Sequence, residues 1–369
     1  MIGVSFVVVI GVLALLVWGF VTFSPEMGGE SSEKEVKKYK TIANFKEGKF
    51  FNEIETNMDM GVKDGIKTMI QFIKGVKNGK PGYSIPVESV DSLLLEKNKV
   101  EPKVIWFGHS AFLLQLENKN ILIDPMFGDV PAPHPTLGGK RYSDSLPIEI
   151  EQLPQVDVMI ISHDHYDHLD YGSIKKLKSK TKLFYVPLGV GAHFRKWGVE
   201  PEQIIEFNWW DQKSVEGVNF VFTPARHFSG RGLTNRFTTL WGSWVIQTEN
   251  KNIFFSGDSG YGMHFKEIGK KFGPFDFAMI ECGQYDEKWA GIHMTPEESA
   301  QAGIDLKTKV AMPIHWGAFS LALHTWTDPV ERIIKKAKEL NLPLITPEIG
   351  EVVHLDSTIQ KTVNSWWDK

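Results

Sequence analysis

Residues 163–168 read His163-Asp164-His165-Tyr166-Asp167-His168, and five of these six side chains can bind or orient a metal. They follow the apolar run Val156-Asp157-Val158-Met159-Ile160-Ile161-Ser162, which has the length of a strand. Imidazoles and carboxylates seldom bury without partners, so a strand ending in such a cluster is not built for packing alone. Borderline-soft ions such as Zn²⁺ take this nitrogen-plus-carboxylate mixture readily.

Three later apolar runs end in the same chemistry. Val218 to Thr223 leads to Pro224-Ala225-Arg226-His227, Asn252 to Ser256 to Gly257-Asp258-Ser259-Gly260, and Lys309 to Ile314 to His315-Trp316-Gly317. If the sheets bring these ends to one rim, seven ligands converge: His163, His165, Asp167, His168, His227, Asp258 and His315. A structural zinc closes at about four ligands, so this set suits two metals. A paired site acidifies a water near neutral pH and clamps both the attacking oxygen and the developing charge. Asp258 is the natural bridge, because a carboxylate has two oxygens to offer.

The elements that must position these residues begin near Val104. Strands are expected over 104–107, 111–116, 120–123, 156–162, 181–186, 218–223, 243–248, 252–256, 276–281 and 309–314. Helices are expected at about 172–179, 190–197, 265–271, 296–305 and 329–340. Thr295-Pro296-Glu297-Glu298 is a capping box with Pro at the first helical position, and Asp328-Pro329-Val330-Glu331 repeats that pattern. Strands with helices interspersed make a layered α/β domain.

Upstream, Ile2 to Phe23 is apolar apart from Ser5 and Thr22. At about 1.5 Å per helical residue it is long enough for a hydrocarbon core of about 30 Å. With no basic residue before it and a poor cleavage site after it, an uncleaved transmembrane anchor is expected rather than a signal peptide. Lys34, Lys37, Lys38 and Lys40 then point the catalytic domain to the cytoplasmic side, a periplasmic or other extracytoplasmic placement being the alternative. Residues 24–50 read as a tether. Ile54, Met58, Val62, Ile66, Ile70 and Ile73, interleaved with lysines, give an amphipathic helical lead-in within 51–103. The hydrolase domain spans 104–356, and 357–369 is a C-terminal tail.

A formal net charge of −4 gives no electrostatic reason to expect nucleic acid. The single cysteine, Cys282, excludes a disulfide framework and a cysteine-based zinc site. Twelve Trp and 24 Phe supply a thick core, with some available to line an apolar substrate channel.

His-x-His-x-Asp-His followed by a lone His, a Gly-Asp and a late His resembles the metallo-β-lactamase superfamily. Trp106-Phe107-Gly108-His109-Ser110, Ile123-Asp124-Pro125-Met126-Phe127, Leu240-Trp241-Gly242-Ser243-Trp244, Phe272-Gly273-Pro274-Phe275-Asp276 and Ile314-His315-Trp316-Gly317 look like the branch that hydrolyses N-acyl-phosphatidylethanolamine as a phospholipase D. The resemblance covers about residues 104 to 351. It implies a four-layer αβ/βα sandwich, here preceded by the transmembrane helix, with two zinc ions at one sheet edge. It assigns His163, His165 and His227 to one zinc, Asp167, His168 and His315 to the other, and Asp258 to both. His293 matches a further family histidine and reads as a phosphate contact or proton donor; Tyr166 could reach a phosphoryl oxygen. His109 and Ser110 have either a supporting or a local turn role, and Asp124 stands behind the ligands.

The implied activity is a zinc-dependent phosphodiesterase that cleaves N-acyl-phosphatidylethanolamine by attack of a hydroxide held between the metals. Asp167, Asp258 and His293 carry that chemistry. Expected partners are a membrane phospholipid, the bilayer through the N-terminal helix, and a second copy of the chain in a homodimer, but no nucleic acid. A lactonase or sugar-phosphate hydrolase acting on a soluble substrate is the alternative, and a non-catalytic binding module would be expected to lack ligands. The chain departs from the mammalian pattern at Ile292, where that pattern has glutamine, and at Glu281-Cys282-Gly283-Gln284-Tyr285, where it has Pro-Ile-Gly-Ala-Tyr.

Overall fold

The computed structural model describes residues 2–56, 61–97, 101–232, 234–356 and 363–368. Met58 of the expected lead-in helix and most of the expected tail lie outside them. Two large sheets form the body. The seven-stranded sheet runs in the order Val352–His354, Lys103–Trp106, Phe112–Leu116, Lys119–Ile123, Val156–Ile160, Thr181–Pro187 and Ile204–Phe207. The six-stranded sheet runs Ala311–Ile314, Phe277–Glu281, Asn252–Phe255, Ser243–Gln247, Val218–Thr223 and Gln212–Val215.

Both sheets are antiparallel hairpins that continue into parallel strands. Parallel strands are buried on both faces, and here all but the edge strand Ile204–Phe207 are largely so. Successive residues of each strand point to opposite faces. Val104, Trp106, Val158 and Ile160 therefore face the second sheet, where they pack with Phe220, Phe222, Trp244 and Ile246. Ile105, Leu122, Met159 and Ile161 face outward onto Ile174, Leu177 and Phe194 of the helices Tyr171–Leu177 and Gly191–Lys196. Ala300, Val330 and Ile333 of Pro296–Asp305 and Asp328–Leu340 cover the other side. This is the expected helix–sheet–sheet–helix layering.

The N-terminal reading needs correction. Ile2–Phe23 is helical, but among the described residues no helix is long and apolar enough to cross a membrane. The expected single-pass anchor is overturned, and with it the placement of the domain on one side of a bilayer. The helix also does not stand clear of the protein. Phe20 meets the His134 ring edge-on at 6.0 Å, and Val17, Phe20 and Val21 line one cavity with Tyr166 and Arg231.

Where a tether is expected, residues 24–50 are structured against the domain. Trp197 Nε1 donates to the Pro25 carbonyl at 2.7 Å, Arg231 Nε to that of Glu26 at 2.8 Å and Lys196 Nζ to that of Gly28 at 2.7 Å. A full capping box at Ser32 and Glu35 starts Glu33–Tyr39. Tyr39, Phe45 and Phe50 then enter the main core. The lead-in helix is Val62–Lys74, closed by Gly75. At the other end, Trp366 and Trp367 are buried against Trp316.

Candidate metal centre and active site

The ends of Val156–Ile160, Val218–Thr223, Asn252–Phe255 and Ala311–Ile314 meet at one rim, and the seven expected ligands gather there. Three of the imidazoles are aimed by a bond to the outward nitrogen. His227 Nδ1 donates to the Ile292 carbonyl at 2.9 Å. His163 Nδ1 lies 2.9 Å from Ser162 Oγ, whose own proton goes to Asp124. His168 Nδ1 lies 2.7 Å from Asp124 Oδ2, and the Ser162 backbone N–H also donates to Asp124. Asp124 thus holds a hydroxyl, a backbone amide and an imidazole behind the rim, as the sequence suggested.

The inward atoms form two groups. His163 Nε2 and His227 Nε2 lie 2.9 and 3.2 Å from His165 Nδ1, and 3.8 and 3.7 Å from Asp258 Oδ2. On the other side, Asp258 Oδ1 lies 3.1 Å from His168 Nε2 and 3.0 Å from His315 Nδ1. Asp167 Oδ2 faces His109 Nε2 at 2.9 Å, His168 Nε2 at 3.6 Å and His315 Nε2 at 3.8 Å. The two oxygens of Asp258 therefore face different groups, which is the arrangement a bridging carboxylate needs.

Two backbone features make this possible. A Cβ on Gly257, at φ 54°, would stand 2.7 Å from Ser162 Cβ, so only glycine lets the Asp258 turn approach the His163 loop. His109 and His315 both adopt left-handed conformations, at φ 55° and 66°, where side chains are uncommon. They are tied to each other across the sheets: His109 N–H donates to the Trp316 carbonyl at 3.1 Å and His315 N–H to that of His109 at 3.0 Å. The turn after the first strand thereby delivers His109 to the rim, a position that sequence reasoning left undecided between two roles.

The donor chemistry fits a metal. Burial, reinforced by neighbouring His168 and His165, keeps the His163 imidazole well below its usual range. Burial outweighs Asp258 at His227, pushes His165 down to about 4 despite Asp167, and with His315 pushes His109 down to about 3. Neutral imidazoles offer lone pairs. His165 Nδ1 carries at most one proton, yet two acceptor nitrogens point at it. His168 Nε2 and Asp258 Oδ1 are buried without an aligned hydrogen-bond partner. Burial opposes ionisation of Asp167 and Asp258, but His168 and its neighbours hold both carboxyls well below the usual range. Convergent lone pairs beside two buried anions are stabilised by cations. Two donor sets, His163/His165/His227/Asp258 and His109/Asp167/His168/His315, could each hold one.

His293 also reaches the rim, where Asp258, His293 and His315 each place one atom within 4.8 Å of the others. Its Nδ1 is bonded to Glu281 Oε1. Burial, with the charge of Asp258 adding to it, pushes Glu281 well above the usual carboxylate range. The sequence marked Glu281 only as a departure from the mammalian pattern and Asp164 only as a member of the 163–168 cluster; Asp164 accepts from Gly230 N–H, Thr239 Oγ1 and His193 Nε2 behind the ligands.

A cavity of about 330 Å³ opens on His165, Asp167, Asp258, His293 and His315. Phe72, Phe228, Trp289, Ile292 and Leu321 give it an apolar wall, and Arg236 and Lys288 a cationic edge. Tyr166 does not line it. Its hydroxyl donates to the Arg231 carbonyl at 2.7 Å, and its ring faces the separate cavity beside the N-terminal helix.

A sandwich of two sheets with paired donor sets on one rim defines a metal-dependent hydrolase. Residues 119–316 match the beta-lactamase superfamily domain, and the chain belongs to that superfamily. An uncharacterized protein of Mycobacterium tuberculosis is 36% identical over 329 residues, 88% of this chain and 87% of its own length. An N-acyl-phosphatidylethanolamine-hydrolyzing phospholipase D of Caenorhabditis elegans is 30% identical over 264 residues, 67% of this chain and 74% of that enzyme. Among solved structures, an isothiocyanate hydrolase from Delia radicum gut bacteria shares the fold at a TM-score of 0.53 and 20% identity, covering 68% of this chain and 98% of that one.

Proposed function

We propose that the chain is a dinuclear zinc phosphodiesterase that cleaves N-acyl-phosphatidylethanolamine-type phospholipids on the headgroup side of the phosphate. The observation that carries this reading is the cavity itself: a donor cluster at its floor, a cationic edge and an aromatic wall. An amphiphile with one phosphate and long acyl chains matches all three surfaces. A soluble sugar phosphate would leave Phe72, Trp289 and Leu321 without a partner. The relative from Caenorhabditis elegans supports the same substrate class.

Nitrogen-rich donor sets favour zinc over harder ions. His163, His165 and His227 would hold one ion, Asp167, His168 and His315 the other, and Asp258 both; His109 stands close enough to Asp167 to join or buttress the second. Bound there, two zinc ions supply Lewis acidity at the phosphoryl oxygens and acidify a water to near-neutral pKa. The remaining work falls to the chain's own groups. Asp124 and the Ile292 carbonyl fix the ring orientations of His168 and His227. Arg236 and Lys288 draw the phosphate in, and the aromatic wall holds the chains away from water. His293 stands beside the cluster to protonate the departing alkoxide.

The test is to incubate zinc-loaded protein separately with N-acyl-phosphatidylethanolamine, a lactone and a simple phosphodiester, and to read the products by mass spectrometry. N-acylethanolamine and phosphatidate are expected from the first. Hydrolysis of the lactone alone would refute the reading.

A further inference from the structure

Glu281 closes the strand Phe277–Glu281 and is fully buried. Its Oε2 accepts from the Ser259 N–H at 2.7 Å, and its own N–H donates to Ser256 Oγ at 2.9 Å. Its Oε1 meets His293 Nδ1. The His293 ring stacks on His315 at 5.4 Å and meets His227 edge-on at 5.0 Å. With Nδ1 engaged, Nε2 is the ring nitrogen left for the pocket. His293 itself sits in a loop, ahead of the helix that starts at Pro296. A loop imidazole has torsional freedom that a carboxylate on one nitrogen removes, and aim is worth much in a proton transfer. Residue 281 is also a position where this chain departs from the mammalian pattern.

We propose that Glu281 is a positioning residue: by gripping His293 Nδ1 it aims Nε2 at the leaving oxygen of a phosphodiester held over Asp258. The inference rests on the phosphodiesterase reading. In the step concerned, the oxygen of water forms the new P–O bond and the bond to the leaving oxygen breaks with its electron pair. The proton on His293 Nε2 passes to that oxygen. The proton shed by the attacking water goes to solvent, from which His293 is recharged.

A brace of this kind matters when the leaving group needs a proton. Glu281→Leu and Glu281→Gln are therefore compared on N-acyl-phosphatidylethanolamine, which expels an alkoxide, and on bis(4-nitrophenyl) phosphate, whose nitrophenolate leaves unprotonated. Glu281→Leu should lower kcat on the lipid by about 100-fold while KM moves less than about threefold, and should cost less than about fivefold on the aryl ester. Glu281→Gln, which keeps a hydrogen-bond partner for Nδ1, should recover about tenfold of the lost rate. Zinc per chain, measured by mass spectrometry, should match the wild type. Equal losses on the two substrates, or zinc lost together with activity, would overturn the proposal and leave Glu281 as a prop for the Ser259 turn. Should the leucine variant not fold, the glutamine variant decides alone, by a lipid-selective loss or an equal one. A wild type inert on both phosphodiesters is a different outcome: it removes the phosphodiesterase reading and this inference with it.

Discussion

The two halves of the donor cluster are held in different ways. In the half around His163, His165 and His227, one imidazole is steadied by the hydroxyl of its chain neighbour Ser162 and another by the Ile292 carbonyl, 65 residues along the chain. The half around Asp167, His168 and His315 depends on distant chain: Asp124 from one loop, His109 from another, and two left-handed residues bonded to each other across the sheets. Both halves draw on both sheets, but the second also needs the paired left-handed turns of His109 and His315. The second half has this extra constraint to satisfy, so a metal held there should be the easier one to lose.

Asp258 serves both halves, and its loss should erase the difference between them. On the dinuclear zinc reading, Asp258→Ala should reduce bound zinc at both positions and cut kcat by at least about 1,000-fold, the scale of several kcal/mol of transition-state stabilisation. A variant that retains two zincs and more than a tenth of the activity would show that the carboxylate is not shared. His109→Ala should separate the halves. One zinc should remain tight while the affinity of the other falls by about 10- to 100-fold, as when a supporting partner of a ligand is removed. Metal titration followed by mass spectrometry reads this directly, and parallel weakening of both ions would contradict the division. The smallest effect belongs to Tyr166, which sits between ligands in sequence but gives its hydroxyl to Arg231 on the far side. Tyr166→Phe should change kcat less than about threefold and cost about 1 kcal/mol of stability, read from a thermal unfolding curve. A loss beyond about 100-fold would return Tyr166 to the substrate side of the loop.

Much of this was legible in the sequence because it is written in short-range pattern. The ten expected strands and five expected helices all occur within a few residues of their expected bounds, and the capping box at Thr295 and Glu298 forms in full. The second candidate box does not form: Thr327 is the N-cap and Asp328 lies inside the helix, bonded to Arg332. Ile204–Phe207, Gln212–Val215 and Val352–His354 escaped notice because they are short edge strands, defined by a neighbour rather than by their own alternation. Glu281, Asp164 and His193 escaped for a related reason. Each is a buried polar group whose side-chain partners lie 12 to 164 residues away, so no local spacing shows what it bonds. Apolarity alone misled at the N-terminus, where composition did not reveal contacts with Tyr166, Arg231 and Trp197 far along the chain.

Those contacts have a consequence for the order of events during synthesis. Pro25 and Glu26 leave the ribosome early, but their partners Trp197 and Arg231 follow 172 and 205 residues later. At about 5–20 residues per second the segment waits roughly 10 to 40 s for something to bind. During that time its apolar neighbour Ile2–Phe23 has no docking face, and the nascent chain carries an exposed sticky end that the finished protein partly covers. Chaperone demand should therefore last until Trp197 and Arg231 have been made, by which point five of the seven candidate ligands are already on the chain.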